Sequence, residues 1–208
     1  MVFISYILLM TKELVVAYFK EDLNWLEEIT DSKITIYNKS SMDLDNTISL
    51  PNFGREMHTY FHHIIENYDN LSDWVFFTQG NPFDHVKDYV EIVNQFPDSL
   101  HQSKLSTDDC HFFSYGHHYD IALKSVSDGL PHHDGSLNID GLWGLLFSSP
   151  PPNEYDFVAG CTFCVTREQI LMREKSFYEK CLDTSIHRIS APWEFERLMY
   201  NVFNKNVQ

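Results

Sequence analysis

The chain has 208 residues, 43% hydrophobic and 15% aromatic, which suits one globular domain and excludes a disordered or fibrous chain. Its 30 Asp and Glu against 15 Lys and Arg give a formal charge of −15, a field that repels a phosphate backbone and excludes sequence-wide nucleic-acid binding, while a local basic pocket can still hold a small anion. The apolar Met1–Met10 is too short to span a bilayer and has neither a basic flank nor a small-residue cleavage site. It is expected to be an extra strand, or sequence ahead of a start at Met10, in a cytoplasmic protein with no integral membrane span.

Glu13–Tyr18 (ELVVAY) reads as a buried strand, and Glu21–Ile29 as a helix with Leu23, Leu26 and Ile29 at helical spacing. Lys33–Tyr37 is a second strand, ending in the polar Asn38, Lys39 and Ser40. A turn at Pro51–Gly54 opens a helix over Arg55–Tyr68, with a stripe of Met57, Phe61, Ile64, Ile65 and Tyr68. Asp73–Thr78 is a third strand, broken by Gln79-Gly80-Asn81-Pro82, and Asp84–Phe96 returns to helix. The stretch Pro97–Pro152 reads as long irregular loops rich in His, Ser, Asp, Gly and Pro. A strand over Asp156–Val165, one or two helices over Arg167–Cys181 and a last helix over Pro192–Phe203 complete the chain. This alternation predicts a single α/β domain over 1–208, with a mostly parallel central sheet covered by helices on both faces.

Ligands of such sheets bind outside the carboxyl ends of the strands. Those ends are Tyr18–Asp22, Asn38–Ser40 and Gln79–His85. No G-x-G-x-x-G and no P-loop is present, which disfavours a dinucleotide enzyme or an NTPase. Asp84-His85 after the third strand either ligates a divalent metal on a diphosphate or, with Asp84 as N-cap, starts the next helix. His58, His62 and His63 are placed on the polar side of their helix. The His58/His62 spacing allows zinc, but the Glu of H-E-x-x-H is missing; His117-His118 and His132-His133-Asp134 fall in loops. Cys161 and Cys164 form a C-x-x-C inside an apolar strand, where residues three apart face opposite ways. With no second C-x-x-C they read as packing cysteines in a reducing compartment. In the last helix, Glu194 or Glu196 is either a general base or, for Glu194, the partner of Arg197.

Strings such as VVAYFKEDLNWL, IYNKS, LPNFGREMHTYFHHIIENYDNLSDWVFFTQGNPFDH and the late FCVTREQI…FY…PWEFERL resemble a family catalogued as a domain of unknown function and found in viruses, microbes and fungi. The layout is also similar to family-two-like glycosyltransferases of the GT-A fold and to small viral glycosyltransferases. That resemblance implies a nucleotide-binding half over about 11–100 and an acceptor and catalytic half over about 101–208. It implies transfer of a sugar from a nucleoside-diphosphate sugar, expected as a uridine diphosphate sugar, to a glycan or glycoprotein acceptor. The donor would lie on Tyr18, Lys20, Asn38, Lys39, Asn52, Arg55, Gln79 and Asn81, with Glu194 or Glu196 as base. The metal-binding D-x-D of that group is replaced by neutral Gln79 and Asn81. Mn or Mg would then be held by Asp84, His85 and His187, or the enzyme would be metal-independent, with Lys20, Lys39, Arg55 or Arg188 on the diphosphate. Tyr115, Trp143 and the His132-His133-Asp134 loop are expected toward the acceptor. A non-catalytic carbohydrate- or nucleotide-binding module is the first alternative, and a metal-dependent hydrolase built on the histidine clusters the second.

Overall fold

Two strands with apolar residues on both faces, β1 (Lys12–Tyr18) and β4 (Trp74–Gln79), lie side by side at the centre of the sheet. Leu14, Val15, Val16, Val75, Phe76 and Phe77 are all fully buried, as expected for strands covered on both sides. The computed structural model describes residues 10–106, 112–119, 137–153, 155, 157–204 and 207. The predicted segment before Met10 and the His132-His133-Asp134 loop lie outside them.

Beyond β1, the sheet continues through β2 (Lys33–Asn38) and the short β3 (Ile48–Ser49), all in parallel. On the other side of β4 run β7 (Phe157–Thr166), β6 (Phe112–Tyr119) and β5 (Leu105–Ser106), each antiparallel to its neighbour. The order is β3-β2-β1-β4-β7-β6-β5, one mixed sheet running through both halves of the chain. The parallel arrangement read from the sequence holds for the first four strands. The antiparallel half departs from it because β6 lies within the stretch read as loop: its Gly116-His117-His118 blurs the alternation that marks a strand.

The helices occupy both faces. Helices α1 (Arg55–Glu66), α3 (Ile139–Leu146), α5 (Lys175–His187) and α6 (Ala191–Val202) supply Phe61, Leu142, Tyr178 and Phe195 to the larger core layer. Phe163 sits at its middle, with ring centroids 5.0 Å from Phe77 and 5.7 Å from Tyr60. Each such ring contributes roughly 1.5–3 kcal/mol through burial. The opposite layer is thinner, made by α2 (Tyr89–Asn94) and the 3-10 turns Asn24–Glu28 and Asp98–Gln102 against Leu14, Val16 and Phe76. The short α4 (Arg167–Ile170) follows β7 directly, with Thr166 as its cap. Cys161 packs in the first layer and Cys164 in the second, so the two thiols diverge as the strand periodicity requires.

Three local readings are corrected. The helix expected over Glu21–Ile29 is the five-residue 3-10 turn Asn24–Glu28, fixed by the Trp25 indole donating to Gly80 O at 2.9 Å. The helix expected from Asp84 begins only at Tyr89, since Pro82 O collects the N–H groups of both His85 and Val86 in a turn. The histidines of α1 are not on a polar face: His58 and His63 are buried and His62 is half-buried. His63 faces Tyr37 Oη, 3.1 Å from its Nδ1, and the buried carboxylate of Glu13, 3.8 Å from its Nε2. Glu13 is completed by Thr35 Oγ1, Ser72 Oγ and Lys33 Nζ. This cluster toward the amino end of β1 accounts for His63 turning inward against its polarity.

Candidate functional site

The chain leaves β1 toward β2 and β3, then returns through α1 to β4 on the other side of β1. The carboxyl ends of β1 and β4 are therefore a topological switch point, where connections diverge and leave a crevice. A cavity of about 290 Å³ opens there, lined by Ala17, Tyr18, Phe19, Glu21, Lys39, Asn52, Arg55, Glu56 and Gln79. Glu21 fixes the loop after β1 by accepting the N–H groups of Phe19 (2.7 Å) and Lys20 (3.0 Å). Gly80 leaves room for that carboxylate, since a Cβ there would lie 2.4 Å from Glu21 Oε2.

The amino end of α1 forms one wall. Gly54 and Arg55 both have positive φ, 57° and 49°, and no side chain caps the helix. Its first two residues, Arg55 and Glu56, line the cavity at the positive end of the helix dipole. Arg55 lies over the Trp193 ring, 5.4 Å from its centroid, and approaches Glu56 Oε2 at 3.4 Å. Lys39 is buried, with its ammonium on the carbonyls of Phe53 and Arg55. Burial lowers its pKa to about 8, with Arg55 adding to the effect and Glu56 opposing it.

Behind Gln79, at the edge of the cavity, stands β7. Gly160 has a φ of 96° and Cys161 one of 47°, a kink in mid-strand. The Gly160 N–H donates to Glu196 Oε1 at 2.7 Å, and its carbonyl accepts from Gln79 Nε2 at 3.2 Å. One residue thus joins α6 to the end of β4. Burial, the largest effect, raises the Glu196 pKa above the ordinary carboxylate range, and the negative charge of Glu56 pushes the same way. The Gly160 N–H, Arg197 and His85 act against them. The His85 ring packs on Gly160, where a Cβ would meet its Cγ at 2.5 Å.

The structure gathers Tyr18, Lys39, Asn52, Arg55 and Gln79 at one cavity, with Glu196 bridged to Gln79. Others of the expected set have different employment. Asn38 organises its own loop, accepting from Ser40 and donating to Met42 O. Asn81 accepts the Phe83 N–H in a turn, and Lys20 extends over the Phe19 ring. Glu194 is fully buried and bound to Arg188 Nε at 2.5 Å and to the Asn138 N–H at 2.7 Å, instead of pairing with Arg197, which meets Glu196 at 3.4 Å. Asp84 is exposed, and His187 turns back on Asp183 of its own helix. Among the described residues no three His, Cys, Asp or Glu side chains gather closely enough to hold a metal ion, and Asp84, His85 and His187 form no such group. Tyr115 and Trp143, expected toward an acceptor, are buried core residues.

Glu56 was not singled out from the sequence, Glu21 was named only within the strand end Tyr18–Asp22, and Gly160 only as the glycine of the strand before the last helices. Gly160 had a signal, since a glycine inside an apolar strand marks a bulge or a close backbone approach. Glu21 and Glu56 had only position, one at a strand end and one in the first turn of a helix.

Among the described residues no helix is long and apolar enough to cross a membrane. No curated protein and no solved structure matches the chain significantly. A family model does, over residues 14–206, nearly the whole length, and the strings from the first strand to the last helix fall inside it. The chain therefore belongs to the family described as protein of unknown function DUF3431.

Proposed function

We propose that the chain is a glycosyltransferase, moving a sugar from a nucleoside-diphosphate sugar, of which a uridine diphosphate sugar is our choice, to a glycan or glycoprotein hydroxyl. The observation that carries this reading is the cavity at the switch point, with Arg55, paired with Glu56, and the amino end of α1 on one wall, and Gln79, tied through Gly160 to the carboxylate of Glu196, on the other. Arg55 and the helix end suit a diphosphate, whose charge grows as the sugar leaves. A carboxylate with a raised pKa suits a general base. Glu196 takes the proton of the acceptor hydroxyl while that oxygen bonds to the anomeric carbon. The bond from that carbon to the diphosphate breaks, and its electron pair leaves on the phosphate oxygen beside Arg55. A divalent cation, Mn or Mg, enters this reading only on the donor's own phosphates.

A second reading, a binding module without turnover, draws support from Asp84, His85 and His187 not assembling and from Glu194 being spent on Arg188. One experiment separates the two. The chain is incubated with nucleotide sugars and mixed glycan acceptors, with and without manganese, and released nucleoside diphosphate is measured. Release that Glu196→Gln abolishes while nucleotide binding persists supports transfer. Binding without release in the wild type supports the module, and neither binding nor release contradicts both.

A further inference from the structure

Resting on the reading above, we propose that Lys39 is a positioning residue and not an anion ligand: it holds the Phe53–Arg55 turn in its left-handed form and thereby sets Arg55 and the amino end of α1 against the cavity.

An ammonium group has three donors. Lys39 commits two of them, to the carbonyls of Phe53 (2.5 Å) and Arg55, and its side chain is buried. Its own N–H donates to Tyr18 O at 2.9 Å, which ties it to the end of β1. The turn it grips carries two successive positive φ values, at Gly54 and Arg55. Such a φ is sparsely populated for arginine and persists only where the surroundings over-determine it. Lys39 supplies that constraint from the β2 side. On the other side α5 closes in, with Ser185 O 2.5 Å from where a Gly54 Cβ would be. Because each peptide is planar and trans, drawing the Phe53 and Arg55 carbonyls onto Lys39 turns the Gly54 and Glu56 N–H groups away from it. The same grip fixes the Arg55 backbone beneath its stack on Trp193.

The test begins without ligand, on the full chain. Amide hydrogen exchange of residues 54–58 is compared between wild type and Lys39→Met. We expect exchange at least about tenfold faster in that turn, with the amides of β1 and β4 unchanged. Should Lys39→Met fail to fold, Lys39→Gln gives the same readout. Unchanged exchange in the turn overturns the proposal. A mutant cycle with inorganic pyrophosphate follows. Arg55→Ala and Lys39→Met should each weaken binding, and the double variant should lose clearly less than the sum of the two single losses. Additive losses would make Lys39 a direct ligand and overturn the proposal. If the wild type does not bind pyrophosphate, the functional reading fails, and the ligand-free exchange still decides the role of Lys39.

Discussion

The N–H of Gly160 reaches Glu196 Oε1 over 2.7 Å, from a strand kinked by two successive positive φ values. The kink is possible because residue 160 has no side chain: a Cβ would strike His85 at 2.5 Å, and a φ of 96° is outside the range of alanine. Gly160→Ala should therefore cost roughly 1–3 kcal/mol of stability and displace Glu196. Denaturant unfolding measures the first effect. Loss of nucleoside-diphosphate release in a variant that stays folded measures the second.

The buried histidines make stability depend on pH. Burial lowers both His58 and His63 to about 4; Lys39 and His62 push His58 further down, while Glu13 pulls His63 back up. A histidine with a lowered folded pKa favours the fold fully above its unfolded value, near 6.5, and loses that contribution as pH falls toward 4. Each group accounts for up to roughly 3 kcal/mol across that window. Glu13, lowered by His63, Thr35 and Lys33 despite its burial, adds a loss at still lower pH. Urea midpoints should fall steadily from pH 6.5 to 4, and His63→Asn should flatten the slope. A midpoint unchanged between pH 7 and 4.5 would contradict the cluster.

The Arg188–Glu194 pair separates structure from chemistry. Glu194 is 0% exposed, and Arg188 meets it at 2.5 Å. Arg188→Met would leave that carboxylate buried without its cation and should cost roughly 3 kcal/mol. Nucleotide affinity, measured by calorimetry on the folded fraction, should not change. A loss of affinity larger than the loss of stability would return Arg188 to the diphosphate.

Cys161, Cys164 and Cys181 are buried free thiols, each raised in pKa by burial. Neutral, enclosed thiols react slowly. Native protein treated with a thiol reagent and mapped by mass spectrometry should show these three unmodified until denaturant is added. Rapid native modification of Cys161 together with Cys164 would contradict their placement on opposite faces.

The sequence was most legible where one interaction dominates. The apolar runs of β1 and β4 and the stripe of Met57, Phe61, Ile64 and Ile65 could only be buried, and they are. The strand ends then located the cavity, with Lys39 and Gln79 on two of them, while Arg55 was expected there only from the resemblance. What sequence spacing could not weigh was long-range polar pairing. Glu13 and His63 meet across two elements, and Glu194 is claimed by Arg188 and the Asn138 N–H, so polar residues read as surface or catalytic are spent inside. The β6 strand was hidden for a different reason: its glycine and histidines resemble a loop, and pairing with β7 and β5 shapes it.

Calorimetry or a thermal shift with nucleoside diphosphates, on wild type and Arg55→Ala, tests the central claim most directly. At a hundred times its dissociation constant one nucleotide should stabilise the wild type by roughly 2.7 kcal/mol, and the variant much less. A folded wild type that no nucleoside diphosphate or nucleotide sugar stabilises, with or without manganese, would contradict the account.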